Sequence, residues 1–70
     1  MKKETVENRV QEYRTKAGMT QDALAERCGV SRQTIIAIEK GSYAPSVALA
    51  LRIARVFNKP TDAIFFFNII

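Results

Sequence analysis

The apolar residues of this chain recur every three or four positions along most of its length, which is the spacing that gathers them on one face of a helix. Val6, Val10 and Tyr13 follow this pattern first and predict a helix from about residue 4 to residue 16. Gly18 stands where that helix needs a C-terminal cap. The beginning of the chain is therefore expected to be helical.

Two short helices with a glycine between them are predicted next. Thr20 and Ser31 each precede a helical pattern, and their hydroxyl oxygens can accept the free N–H groups of a helix start. Gly29 stands between the two patterns, where the chain must reverse and where glycine adopts a positive φ without steric cost. Residues 20 to 41 are therefore expected to form a helix-turn-helix. Its expected core positions are Leu24, Ala25, Cys28, Ile35 and Ile38.

A fourth helix is predicted from about residue 47 to residue 57, with Ser46 as its N-cap. This helix is apolar almost all round, because only Arg52 and Arg55 carry charge, and it must be buried on more than one side. The stripe assigned to the chain's own core is Val47, Ala50, Leu51, Ala54 and Phe57. The apolar residues left over, which are expected to be exposed on a single chain, are Leu49, Ile53 and Val56.

The end of the fourth helix is marked by Asn58, Lys59 and Pro60, and Thr61 is expected to cap a short fifth helix. Asp62 is well placed in the first turn of that helix, where the helix dipole favours an acidic residue. The sequence shows neither repeats nor a linker. It therefore predicts one all-α domain over residues 1 to 70, a compact five-helix repressor-like fold with a short apolar C-terminal extension.

The length of the chain and its net charge each add an expectation about binding partners. At 70 residues a single core gives only marginal stability, so pairing into a homodimer is physically attractive. Lys and Arg number 11 against 7 Asp and Glu, a net charge of +4 that suits a polyanionic partner. Small basic domains that bind no nucleic acid are also common, so the charge alone leaves both possibilities open.

The residue inventory argues against an enzyme and against a bound cofactor. There is no His, and the single Cys28 lies on a core stripe, so no metal site can be assembled. No Gly-rich phosphate loop or paired nucleophile and base is present, and Ser31 is better explained as an N-cap. Residues 1 to 3 lead into charged residues rather than an apolar signal region. A cytoplasmic protein without a membrane partner is therefore expected.

Four segments carry a resemblance to a known family: YRTKAGMTQDALAERCGVSRQTIIAIEKG, the YAPS turn, the helix ALALRIARVF and the ending PTDAIF. Together they resemble the Xre-type regulators, the phage repressor and Cro superfamily, over about residues 9 to 65. The resemblance implies a five-helix domain of bacterial, archaeal or phage origin. It also implies that the domain binds double-stranded operator DNA at an inverted repeat as a homodimer, in the cytoplasm at the nucleoid, and represses transcription.

The residues expected to read bases belong to the helix that starts after Ser31, because in this architecture its N-terminal end enters the major groove. Arginine can bind guanine through two hydrogen bonds, glutamine can pair with the adenine edge, and an apolar group can meet a thymine methyl. The alternative is that these are ordinary solvated residues at a helix start. The expected base readers are Arg32, Gln33, Thr34, Ile36 and Ala37.

A second group is expected to contact DNA phosphates. Gln21 matches the family glutamine whose side chain and backbone amide contact the DNA backbone, and helix N-termini favour anions. Gln21 could instead be a plain surface residue, Lys40 could compensate a helix dipole, and Tyr43 could anchor a loop. Arg52 remains an open candidate. The further expected phosphate ligands are Lys40, Ser42, Tyr43 and Ser46.

A structural ion pair is also implied by the resemblance. Arg14 and Glu39 match an arginine and a glutamate that, in the family, pair between the first helix and the end of the recognition helix. Such a pair would fix the angle of the recognition helix. Removing one partner of a buried pair would cost about 3–5 kcal/mol.

The C-terminal end departs from the family pattern, because charged residues usually follow the segment that matches residues 64 and 65. Here the ending from residue 64 to residue 70 is almost entirely large and apolar, and it is too short to span a membrane. It could fold onto the chain's own core, but a subunit interface is favoured, with a short strand at the terminus as an option. The expected dimer interface is Leu49, Ile53, Val56, Phe66, Phe67, Ile69 and Ile70.

Two other functions fit the same pattern. The chain could be the antitoxin of a toxin-antitoxin pair, in which case the apolar ending would be the segment available for the toxin. It could also be a protein-binding adaptor with helix-turn-helix shape and no DNA contact. Arg32, Gln33 and Lys40 argue against an adaptor, because protein binding alone does not require a polar and basic recognition face.

Overall fold

A computed structural model describes residues 4 to 69, in which five helices lie between two β-strands that pair with each other. The expected five-helix fold with a helix-turn-helix is confirmed, and the small sheet is an addition to it. Over residues 4 to 69, no helix is both long and apolar enough to cross a membrane. The elements are β1 (Glu4–Asn8), α1 (Val10–Lys16), α2 (Gln21–Cys28), α3 (Arg32–Lys40), α4 (Val47–Phe57), α5 (Thr61–Ile64) and β2 (Phe65–Ile69).

The prediction of a helix from residue 4 is wrong for the first five residues of that range. They form β1, and α1 begins only at Val10. Asn8 is the last residue of β1: its Oδ1 accepts the Val10 N–H at 3.1 Å, and its Nδ2 donates to the carbonyl of Ile38 at 2.8 Å. This local turn at Asn8, of the kind that Asn side chains favour, starts the helix later than the apolar spacing suggests.

The two strands form an antiparallel ribbon. Val6 lies opposite Phe67 and Asn8 lies opposite Phe65, and the Arg9 N–H extends the pairing with a 2.9 Å hydrogen bond to the Ile64 carbonyl. Opposed residues share a face of the sheet. One face therefore carries Val6 with Phe67, and its inner end at Phe65 packs against the core.

The expected N-caps of the three longer helices are confirmed. The hydroxyl oxygens of Thr20, Ser31 and Ser46 accept the backbone N–H three residues later, at 3.0, 3.3 and 3.2 Å. Gly29 ends α2 at φ 71°, in the left-handed region that glycine enters without strain. The predicted cap at Thr61 is wrong, because Pro60 precedes α5 and no side chain caps it.

One apolar core joins all five helices. It lies beneath the helix-turn-helix and includes Ile64 of α5, the residue directly before β2. The five positions predicted as the core of α2 and α3 are all buried. The buried apolar residues are Val10, Leu24, Ala25, Cys28, Ile35, Ile38, Leu49, Ile53, Ala54 and Ile64.

The face assigned to the fourth helix is wrong in part: Ala54 is buried and Phe57 packs against the core as expected, but other positions differ. Leu49 and Ile53, expected to be exposed, retain 5% and 0% of their accessible surface, whereas Val47 and Leu51, assigned to the core, retain 77% and 55%. Val56 is half-buried against the core. Leu51 lies four positions before the exposed Arg55, so at 100° per residue the two side chains are only about 40° apart and share one side of the helix.

Candidate nucleic-acid interface

The first turn of α3 presents two polar side chains to solvent. Ser31 occupies the N-cap in an extended conformation, so the chain turns sharply into the helix directly after Gly29. Arg32 and Gln33 follow and are both exposed. The geometry of the turn therefore projects a guanidinium and an amide from one helix end, with no competing partner among residues 4 to 69.

The other three expected base readers are partly covered. Thr34 is half-buried, and its Oγ1 lies 3.1 Å from the Ser31 Oγ, so its hydroxyl belongs to the cap. Ile36 and Ala37 are also half-buried. Helical spacing turns Ala37 to the same side as Gln33, away from the buried stripe of α3. Of the five expected base readers, Arg32 and Gln33 are thus fully available polar side chains, whereas the other three expose only part of their surface.

Behind this face lies a buried ion pair. The Arg14 Nε donates to Glu39 Oε2 at 2.7 Å, and its Nη2 donates to Oε1 at 3.2 Å. The third nitrogen, Nη1, donates to the carbonyl of Met19 at 2.8 Å. The two side chains retain 11% and 4% of their accessible surface. This two-point contact connects α1 to the last turn of α3.

Gln21 is part of the same network. Its Nε2 donates to Glu39 Oε1 at 3.1 Å, so one carboxylate receives hydrogen bonds from two helices. A glutamine amide has two N–H donors, and Glu39 uses one of them. The backbone N–H of Gln21 lies in the first turn of α2, where helices leave their N–H groups unpaired. Gln21 therefore has two donors to offer, in an orientation that Glu39 fixes.

A shallow depression brings the starts of α2 and α3 to one surface. Arg14, Thr20, Gln21, Asp22 and Arg32 line it. The positive end of the α2 dipole and the exposed Arg32 favour an anion there, and the exposed carboxylate of Asp22 opposes it. The arrangement suits a phosphate that approaches from the Arg32 side.

The remaining phosphate candidates lie around the loop after α3. Lys40 is exposed in the last turn of that helix. The N–H and hydroxyl of Ser42 both donate to the Ala37 carbonyl, at 3.0 and 3.2 Å, so Ser42 caps the helix end and its proton is already used. Tyr43 is 47% exposed. Ser46 only accepts in its capping bond, which leaves its hydroxyl proton available.

The expected interface residues of the C-terminal ending are distributed differently. Phe66 is half-buried and lies under the Arg9 guanidinium, whose carbon is 4.9 Å from the ring centroid. Phe67 is 66% exposed. The Ile69 backbone belongs to β2, whereas its side chain and all of Ile70 lie outside the described residues.

Three residues that matter for this surface escaped the sequence reasoning. Asn8 fixes the C-terminal end of α3 through the Ile38 carbonyl, and its signal was an asparagine two residues before a helix start. Val47 and Leu51 form the exposed apolar face of α4. The nearly uniform apolar sequence of α4 gave no signal for this face beyond the arginine that follows Leu51 by four positions.

The structure gives little support to a metal site or to a reactive cysteine. Within residues 4 to 69, no group of three or more His, Cys, Asp or Glu side chains is arranged to hold a metal ion. The Cys28 thiol is free and buried. Burial raises the pKa of the Cys28 thiol, and the nearby Arg52 and Arg27 oppose the rise. A buried thiol of this kind packs as a small apolar side chain.

The comparisons with known proteins agree with this geometry. The helix-turn-helix family model HTH_3 matches residues 10–64. An HTH-type transcriptional regulator of unassigned role from Archaeoglobus fulgidus is 52% identical over 60 residues, which are 86% of this chain and 86% of that protein. The HTH-type regulator YgzD of Bacillus subtilis is 45% identical over 60 residues, 86% of this chain and 91% of YgzD.

Structural comparison gives the same fold. A crystal structure of a proposed DNA-binding protein from Bacteroides fragilis superimposes with a TM-score of 0.80, covering 89% of this chain and all of the other, at 22% identity. The resemblance stated from the motifs is thereby confirmed, and this chain belongs to the HTH_3 helix-turn-helix family.

Proposed function

We propose that this protein is a sequence-specific transcriptional regulator that binds an inverted-repeat operator as a homodimer and acts as a repressor. One observation carries the proposal. Arg32 and Gln33 project from the first turn of α3, and the buried Arg14–Glu39 pair, together with Gln21 at the start of α2, connects α1 and α2 to the last turn of the same helix. Base reading needs such rigid support, because a hydrogen bond to a base edge tolerates little misplacement.

The side chains divide into reading and positioning roles. Arg32 can bind the two acceptors of a guanine, and Gln33 can pair with an adenine edge, both in the major groove. Gln21 supplies one side-chain N–H and one backbone N–H to a phosphate, which fixes the position of the domain and carries no sequence information. Lys40 and the Ser46 hydroxyl offer a second phosphate contact beyond the other end of α3.

The homodimer is proposed on the exposed face of α4. Val47 and Leu51 are one helical turn apart and are the most exposed large aliphatic side chains among the described residues. They replace Leu49 and Ile53, which the chain uses for its own core. A two-fold contact through this face is self-complementary and covers apolar surface that a monomer seldom leaves open.

Selection of bound sequences from a random DNA pool tests the proposal. We expect an enriched inverted repeat whose half-sites are about one helical turn, roughly 34 Å, apart, and binding that weakens steeply with salt. Failure to enrich any inverted repeat contradicts the proposal.

Three variants separate reading from positioning. Arg32→Ala and Gln33→Ala should each relax one operator position and cost about 1–3 kcal/mol on the selected site. Gln21→Ala should weaken binding to selected and random DNA alike. Lys16→Ala, in an exposed pair with Glu12 on α1, serves as the control and should change neither. Equal losses on both kinds of DNA for all three test variants contradict the assigned roles.

A further inference from the structure

An open cleft lies between the ribbon and α5. Its volume is about 430 Å³, and small-molecule sites usually occupy roughly 300–1,000 Å³. Its surface is almost entirely apolar. None of the bordering residues belongs to the proposed DNA contacts, so the cleft is separate from the candidate nucleic-acid interface. The residues that border the cleft are Val6, Asp62, Phe65, Phe66 and Phe67.

Strand pairing builds one wall of this cleft. In an antiparallel pair, consecutive residues point their N–H and C=O groups alternately toward and away from the partner strand. The Arg9 N–H bond to the Ile64 carbonyl fixes this alternation, so the backbone groups of Phe66 face β1. Val6 and Phe67 lie opposite each other without mutual hydrogen bonds, and the side chains of such a pair are close together. The register of the strands therefore holds Val6 and Phe67 as one apolar wall.

The wall is accessible from solvent. Phe67 is 66% exposed and Val6 is 42% exposed. Phe65, at the inner end of the same face, is half-buried against the core. An aromatic ligand that stacks on this wall would remove apolar surface from water, and the fixed position of Phe65 gives the cleft a rigid inner end.

Asp62 gives the cleft its charge. It is exposed in the first turn of α5, and among residues 4 to 69 no Lys or Arg side chain pairs with its carboxylate. The whole chain has a net charge of +4, yet the charged residue on the border of this cleft is acidic. A carboxylate beside aromatic rings favours a positively charged ligand, because the faces of the rings also attract cations.

The ribbon already contains a contact of this type. The guanidinium carbon of Arg9 lies 4.9 Å from the centroid of the Phe66 ring. Side chains alternate along a strand, so Phe66 and Phe67 point to opposite faces of the ribbon. Arg9 does not border the cleft. The chain therefore supplies its own cation to one face of β2, whereas the aromatic rings on the other face lie beside a carboxylate.

From these observations we infer that the cleft binds a small aromatic organic cation. The aromatic body of the ligand lies against Val6 and Phe67, and its positive group lies beside Asp62. An anion of the same shape is repelled by the carboxylate, and a metal ion has no apolar body to cover the wall. This binding function goes beyond the proposed regulator activity and does not rest on it.

Three probes that share a benzyl group test the class of ligand. They are benzyltrimethylammonium, benzyl alcohol and phenylacetate, which are a cation, a neutral molecule and an anion. Titrations followed by the NMR signals of the Val6 methyl groups and the Phe67 ring give the dissociation constants. We expect the cation to bind roughly tenfold more tightly than the alcohol, and the anion to bind most weakly.

Matched variants test the position of the ligand. Asp62→Asn keeps the shape of the side chain but removes its charge, so binding of the cation should weaken roughly fivefold at low salt, while binding of the alcohol stays unchanged. Glu26→Gln removes an equal charge from an exposed position on α2, away from the cleft, and is the control. Phe67→Leu keeps an apolar side chain without an aromatic face and should weaken the cation roughly twofold to fivefold. Circular dichroism verifies that all three variants are folded.

The inference is overturned if the three probes bind equally well, or if Asp62→Asn and Glu26→Gln weaken the cation to the same extent. It is also overturned if the cation leaves the signals of Val6 and Phe67 unchanged. If these signals respond to protein concentration but not to the cation, a second copy of the chain covers the cleft, and the inference fails in the same way. The titrations contain no DNA, so their failure is distinct from a failure of the regulator proposal.

Discussion

The helix-turn-helix body (α1 to α5) and the terminal ribbon (β1 and β2) differ in how completely their side chains are buried. In the body, Ile35 and Ile38 of α3 are fully buried, and every buried side-chain polar atom among the described residues has a hydrogen-bond partner. In the ribbon, Val6 and Phe67 lie opposite each other and are 42% and 66% exposed. The core beneath α3 is thus complete within one chain, whereas the ribbon leaves apolar surface uncovered, as does the face of α4 that carries Val47 and Leu51.

The difference matters because the two regions meet at the recognition helix. From the body, Glu39 fixes the last turn of α3 through Arg14 and Gln21. From the ribbon, Asn8 binds the Ile38 carbonyl of the same turn. The Arg14–Glu39 contact is charged and buried, whereas the contact from Asn8 is a single neutral hydrogen bond. The helix that carries the proposed base readers is therefore supported strongly on one side and weakly on the other.

The largest effect is expected from breaking the contact between Arg14 and Glu39. Arg14→Met leaves the buried Glu39 carboxylate with Gln21 as its one remaining side-chain partner, so the free energy of unfolding should fall by about 3–5 kcal/mol. Urea denaturation followed by circular dichroism measures the change. Lys16→Ala removes the exposed pair with Glu12, whose atoms are 3.3 Å apart, and should cost less than about 1 kcal/mol. Similar losses in the two variants would show that burial of the Arg14 pair has little consequence.

The second effect tests which face of α4 belongs to the body. Ile53→Ala removes a fully buried side chain and should lower the free energy of unfolding by about 2–5 kcal/mol. Leu51→Ala truncates a side chain that is 55% exposed and should change the stability of the folded chain by less than about 0.5 kcal/mol. Urea denaturation of both at low protein concentration separates stability from association. A larger loss for Leu51→Ala would contradict the assigned face.

The same two regions explain what the sequence could and could not predict. The body was predictable because its signals are local: Thr20, Ser31 and Ser46 cap helices three residues away, and Gly29 marks the turn. The ribbon was not, because strand pairing joins residues more than fifty positions apart and no local window contains both strands. Sequence spacing also cannot rank faces of an almost wholly apolar helix, which is why Val47 and Leu51 were assigned to the core in place of Leu49 and Ile53.

The candidate site follows the same division. Arg32 and Gln33 were identified from their place after a helix cap, and the structure leaves both exposed. The bond from Gln21 to Glu39 was not foreseen, since it depends on how two helices meet in space. Helical patterns give the direction of a side chain on its own helix, but its partners on other helices depend on tertiary packing.

A smaller effect concerns the start of the recognition helix. Ser31→Ala removes the hydroxyl that accepts the Thr34 N–H and should lower the free energy of unfolding by about 1 kcal/mol. Ser46→Ala removes the same kind of cap from α4 together with a proposed phosphate donor, so any binding loss it causes should be equal on selected and random DNA. Thermal unfolding should give similar losses for both variants, whereas the preference for selected over random DNA should fall for Ser31→Ala. An equal loss of preference in the two variants would remove the special role of the α3 start.

The smallest effect is expected from removing the hydrogen bond by which Asn8 connects the ribbon to the body. Asn8→Ala loses the bond to the Ile38 carbonyl and the bond from the Val10 N–H, each worth about 0.5–1.5 kcal/mol at most, and the loss should appear mainly as local opening of the ribbon. Hydrogen exchange at the Phe66 amide, which faces β1, should accelerate roughly fivefold to tenfold, while exchange at the fully buried Ile53 should hardly change. Asn68→Ala, which removes only an exposed contact with Glu7 on the same ribbon, is the control and should leave the Phe66 amide close to its original rate. If Asn8→Ala accelerates Ile53 as much as Phe66, the ribbon and the body unfold as one unit, and the difference in support on the two sides of α3 does not exist.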